Sequence, residues 1–135
     1  MALARNKRPP PDYRLQLQRM INERTHRPST LLVLQTTKAF AAFRYGLTVE
    51  ERLEAGALHL TVMGLEAPQL DLPGAGPAEF RKEYEDLSGN VRIVITGLDG
   101  SRSSVDARIT AESVTLRSPV TGKSLEVTLV PGALK

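Results

Sequence analysis

The sequence predicts a mainly β protein, a two-layer antiparallel β-sandwich with one N-terminal α-helix. Three observations carry that expectation. In the last third of the chain, apolar residues recur at every second position: Val91, Ile93 and Ile95, then Val105, Ala107 and Ile109, then Val114 and Leu116, then Leu125, Val127 and Leu129. Turn-forming residues separate these runs, notably Asp99-Gly100 and the stretch 119–123. The polar partners of the alternation, among them Arg92, Asp106, Arg108, Arg117 and Glu126, fall on the opposite face. Successive strand side chains point to opposite sides, so this is the pattern of an antiparallel sheet with one wet face. The apolar face needs a cover, which the first ninety residues must supply.

Taken in order, residues 1–11 read as a disordered basic tail, with Arg5, Lys7 and Arg8 ahead of the stiff Pro9-Pro10-Pro11 spacer. Residues 12–135 read as a single β-rich domain. In 12–24, Tyr13, Leu17, Met20 and Ile21 share a helical face, and Asp12 suits an N-cap. Tyr13, Leu15 and Leu17 also alternate as on a strand. Gln, Arg, Leu and Met favour helix, so the helix is the expectation. Residues 31–35 form an apolar run of strand length, and 40–49 a second strand. Residues 50–56 are charged and end in Gly56, a turn or one helical turn. Leu58, Leu60 and Val62 alternate with His59 and Thr61, completing a hairpin with the strand before.

Residues 68–77, with Pro68, Pro73, Gly74, Gly76 and Pro77, read as a loop that offers a lid to a ligand pocket. Residues 78–87 are evenly divided. Phe80, Tyr84 and Leu87 have helical spacing behind Pro77, and an extended segment also puts Phe80 and Tyr84 on one side. The alternative architecture is therefore α+β, with a second helix near 77–87. The lead Asp86-Leu87-Ser88-Gly89, the alternating run and then Gly97-Leu98-Asp99-Gly100 resemble the strand-turn pattern of immunoglobulin-like and prealbumin-like sandwich modules. The resemblance covers about 86–109 and implies a fold, since such sandwiches host unrelated functions.

The chain has 135 residues, 41% hydrophobic and 4% aromatic, so its core is built from Leu, Val, Ile and Ala. It has no cysteine, which removes disulfides, thiolate nucleophiles and cysteine zinc sites together. No apolar run approaches the roughly 20 residues that span a bilayer, and the basic start lacks a signal-type apolar core. A cytoplasmic protein is the expectation.

No reactive constellation is evident. His26 lies among arginines, and His59 lacks an orienting acid at any local spacing. Gly74 and Gly76 form a G-x-G without the third glycine. Gly122-Lys123-Ser124 lacks the earlier glycine and the strand-to-helix context of a phosphate loop. Asp71, Asp99 and Asp106 are turn or surface acids. The expectation is a non-enzyme with no cofactor and no metal. It would act as a binding or scaffolding module for a protein partner, a second copy through a strand edge included. The alternative is a nucleic-acid or anionic-surface binder. The first thirty residues hold seven basic side chains and two acids, and the candidate contacts are Arg5, Lys7, Arg8, Arg14, Arg24 and Arg27.

Overall fold

The computed structural model describes residues 12–40, 46–66, 76–122 and 125–130. Within them the chain forms nine strands: β1 (Tyr13–Ile21), β2 (Pro28–Phe40), β3 (Gly46–Glu54), β4 (Ala57–Glu66), β5 (Gly76–Tyr84), β6 (Gly89–Thr96), β7 (Arg102–Ile109), β8 (Val114–Leu116) and β9 (Leu125–Val130). They join in one sheet of order β8-β7-β6-β4-β3-β5-β2-β1-β9. The sheet curls until β8 returns against β1, so the architecture is a nearly closed barrel. This corrects both expected architectures, the two-layer sandwich and the α+β alternative. The apolar face is covered by the far side of the same sheet.

Neither expected helix forms among the described residues. Residues 13–21 are β1, with Tyr13, Leu15, Leu17 and Arg19 buried and the residues between them partly exposed. Burying Tyr13, Leu15 and Leu17 contributes about 1.5–3 kcal/mol each. The helix preference of the Gln and Arg residues between them is worth tenths of a kcal/mol per residue. β1 also gains ladder partners on both sides, β2 antiparallel and β9 parallel. Residues 76–84 are β5, paired antiparallel to β2. Arg81 and Lys82 accordingly find other partners than the acids one helical turn on: Arg81 pairs with Glu79, and Lys82 with Glu51.

The hairpin of β3 and β4 forms as expected, but 50–54 belong to its first strand. Its turn is Ala55-Gly56, both at positive φ (48° and 80°), the mirror-image turn whose twist suits paired strands. The expected meander holds for β6, β7 and β8, which pair in sequence. β9 leaves it and runs parallel to β1, Tyr13 opposite Leu125 and Leu17 opposite Leu129. The expected apolar face fades there. Leu125 is buried, but Leu116 and Leu129 are exposed on the two edge strands.

The core is the barrel interior: Leu15, Leu17, Leu32, Leu34, Leu58, Leu60, Ile93, Ile95, Val105 and Ile109 are almost fully buried. Many outward positions are polar, although Met63, Leu65 and Leu53 are exposed, and charges pair across strands, Arg14 with Glu126 at 2.7 Å and Arg92 with Asp106 at 2.8 Å. At one end the seam is pinned by Tyr13, whose hydroxyl accepts a hydrogen bond from the Leu98 amide at 3.2 Å. Gly97 permits that approach, since a Cβ there would stand 2.9 Å from the Tyr13 ring. Among the described residues no helix is long and apolar enough to cross a membrane.

Candidate functional site

Strand alternation carries β1's inward row from Tyr13, Leu15 and Leu17 to Arg19, at the barrel end opposite the Tyr13 pin. Arg19 is 6% exposed. Its Nη1 donates to the Thr30 hydroxyl at 2.9 Å, directly across on β2. Its Nε is buried and, among the described residues, has no acceptor. Burial pushes the guanidinium's pKa down from its ordinary value, but an arginine stays protonated at neutral pH. Among the described residues this cation at the barrel end has one neutral hydrogen bond and no carboxylate in ion-pair range.

The described part of β9 pairs with β1 as far as Gln18 opposite Val130. The β7–β8 turn lies near this end of β1. Between them lies a cavity of about 240 Å³ lined by Leu17, Arg19, Glu112, Ser113, Val114, Leu129 and Val130. Glu112 lines the same cavity, is exposed, and makes no ion pair with Arg19. The turn is self-contained: the Ser113 amide donates to the Thr110 hydroxyl at 3.1 Å, and the Thr110 amide donates to the Ser113 carbonyl at 2.9 Å.

The inward row continues across the sheet from Arg19 to Thr30 to Tyr84 on β5. Among the described residues β3 and β5 share only the pair Gly46 and Glu79, then part. Side chains bridge the opening. The Glu51 carboxylate accepts from Tyr84 Oη at 2.5 Å and from Lys82 Nζ at 2.8 Å. Lys82 Nζ also stands 5.0 Å from the Tyr84 ring centre. Burial pushes the Glu51 carboxyl up, but the Lys82 and Tyr84 hydrogen bonds and the Lys82 charge outweigh it and hold the pKa below its ordinary value. Burial, and then Glu51, push the Tyr84 hydroxyl far up, so it remains a donor. A second cavity of about 310 Å³ opens here beside Leu53 and Leu58. Every polar tip of this bridge is engaged, unlike Arg19.

Of the basic residues singled out from the sequence, Arg5, Lys7 and Arg8 lie outside the described residues, as does the whole expected tail at 1–11. Arg14 faces outward on β1 and is held by Glu126. Arg24 and Arg27 are exposed in the β1–β2 connection, which is tied to Glu83 and Glu85 through Asn22 and Thr25. Arg14 and the Arg24 turn sit at opposite ends of β1, roughly 20 Å or more apart at ~3.3 Å per residue. Arg19, which sequence reasoning passed over, has the unusual environment. The signal was present, since Arg19 continues the strand alternation of Tyr13, Leu15 and Leu17.

His26 sits in the β1–β2 connection at positive φ (58°). His59 lies on β4 opposite Arg52 and beside Val94. Asp99 accepts from Ser101 within its own turn, and Asp106 pairs with Arg92. Asp71 and 68–75 of the lid expected at 68–77 lie outside the described residues, and 76 and 77 open β5 rather than a loop. Among the described residues no group of three or more His, Asp or Glu side chains is placed to hold a metal ion. No family model, curated protein or solved structure matches this chain.

Proposed function

We propose that this chain is a non-catalytic binding module that holds a small anion at one end of its barrel. The supporting observation is Arg19: a buried guanidinium that, among the described residues, has an unpartnered Nε and one hydrogen bond to a neutral hydroxyl, with a cavity beside it. An unpaired buried charge costs several kcal/mol, and an anion in the cavity offsets that cost. A buried polar group without a partner needs a physical explanation, and a bound ion is one.

A thermal-denaturation series with small anions tests this. A ligand bound to the folded chain alone, at one hundred times its Kd, adds about 2.7 kcal/mol. For a domain of this size that is a rise in Tm of roughly 5–10 °C. A rise that saturates with one anion class and is absent with matched cations is the expected result. Equal, non-saturating shifts with every salt would defeat the reading.

A second reading has its own observation. The sheet ends in two edge strands, β8 and β9, that carry exposed Leu116 and Leu129. Edges with apolar side chains invite pairing with a protein partner, a second copy included. Sedimentation across a wide concentration range then shows a monomer–dimer equilibrium, whereas an invariant monomer dismisses self-pairing. The nucleic-acid reading has weaker support, because Arg14 is engaged by Glu126 and the turn of Arg24 and Arg27 is tied to acids.

A further inference from the structure

The outer face of β6, β7 and β8 carries a charge pattern that the Arg19 end of the barrel does not explain. We propose that this face holds a double-stranded nucleic acid by its backbone phosphates, through Arg102, Arg108 and Arg117. The site is separate from Arg19 and uses none of Arg14, Arg24 and Arg27. Alternate residues of a strand share a face, and so do residues opposite each other across an antiparallel ladder. Val105, Ala107 and Ile109 point into the barrel, so Arg102, Ser104, Asp106 and Arg108 point out. Arg92 stands opposite Asp106, Thr96 opposite Arg102, and Thr115 opposite Arg108. Arg117 follows β8, its amide donating to the Asp106 carbonyl at 2.8 Å. All four arginines are exposed.

The acid on this face is Asp106. Its carboxylate accepts from Arg92 Nε at 2.8 Å and from the Ser118 hydroxyl at 3.3 Å, so Arg92 and Asp106 cancel. Arg117 acts on Asp106 through its charge without an ion-pair contact. Arg102, Arg108 and Arg117 make no ion pair among the described residues. Asp99 and Glu112 lie in the turns at the two ends of β7, and Asp99 is engaged by Ser101. The acids gather elsewhere. β3, β5 and residues 85–86 hold seven acids against three basic side chains, and β3 and β5 lie three and four places from β7 in the sheet. A polyanion is therefore drawn to one side of the barrel and repelled from the other.

The partner's chemistry follows from the make-up of the face. Protein interfaces have an apolar centre. Here the central apolar side chain, Val94, is only 8% exposed, and around it stand arginines with the hydroxyls of Thr96, Ser104 and Thr115. Such a donor-rich, positive and polar surface suits phosphates. The outward positions of β6, β7 and β8 hold no aromatic side chain for a base to stack on, which favours a duplex over a single strand. At ~3.3 Å per residue Arg102 and Arg108 are roughly 20 Å apart, and a duplex carries a charge every ~1.7 Å of its axis, so all three guanidiniums can meet phosphates together.

Fluorescence anisotropy of a labelled DNA duplex, titrated with the full chain at several salt concentrations, tests this. Three phosphate contacts predict an affinity that falls about fortyfold between about 50 and 200 mM salt, whatever the base sequence. Arg108→Gln with Arg117→Gln leaves one contact and should reduce that fall to about fourfold. Both residues are exposed, so the fold is spared. Arg81→Gln, on the acidic half, should change neither value. No duplex binding near the lower salt concentration, or a salt dependence that the double variant leaves unchanged, would overturn the proposal. So would tighter binding to a single strand of equal length or to phosphatidylserine vesicles. Self-association at low salt that the double variant abolishes, with no duplex bound, would assign the face to a second copy instead.

Discussion

At Arg19 the chain places a cation where the strand pattern demands a hydrophobe, and among the described residues Thr30 is all that answers it. Removing the arginine alone strands the Thr30 hydroxyl, which is fully buried. Replacing both with apolar groups of similar shape removes the unmet need as well as the bond. Arg19→Met with Thr30→Val should therefore be at least as stable as the parent, and about 1–2 kcal/mol more stable than Arg19→Met alone. Urea unfolding of the three chains measures this. A double variant several kcal/mol below the parent would mean that Arg19 is a structural strut. The sequence contained the clue. Once Tyr13, Leu15 and Leu17 are read as alternating, Arg19 falls inward. Read as a helix, the same stretch hides it, because Gln, Arg and Met suit a helix locally and only the partner strands decide.

Between elements, the weak point is the line where β3 and β5 part, and Glu51 closes it by holding Tyr84 and Lys82 of β5. Its carboxyl titrates below its ordinary value in the fold, although burial alone would raise it. Such a group stabilises fully above its unfolded pKa, near 4.5, and that stabilisation is lost as pH falls through the lower folded value. Glu51→Gln should cost about 1–2 kcal/mol at pH 7. The difference from the parent should shrink as pH falls below 4.5. Denaturation midpoints from pH 7 to pH 3 check it, and a difference that does not change with pH would contradict the bridge. β5 shows why this line was illegible. Phe80 and Tyr84, four apart, share a side in either conformation, and Pro77 starts a helix as readily as it enters a strand. The β3–β4 hairpin was legible because Leu58, Leu60 and Val62 have period two and Gly56 supplies the turn.

Over the whole molecule, β character was legible and closure was not. Alternation predicts strands and their inward faces, and Ile93, Ile95, Val105 and Ile109 are buried accordingly. Whether such a face is covered by a second layer or by its own sheet depends on pairings far apart in the chain. β9 joining β1, Tyr13 to Leu125, is one of these, and no local pattern specifies it. Closure also creates the site. The described part of β9 runs alongside β1 as far as Gln18, the β7–β8 turn lies close by, and that barrel end holds a cavity beside the buried Arg19. The binding reading stands on that end of the molecule.

The most direct measurement is the Arg19 Nε–H resonance in the nitrogen-15 labelled full chain, followed through a titration with the anion that raises the Tm. The account predicts a signal protected from water exchange at neutral pH, which moves and saturates together with the amides of Leu17, Val114 and Leu129. A signal exchanging as fast as those of exposed arginines, or one that the anion leaves in place, would contradict it.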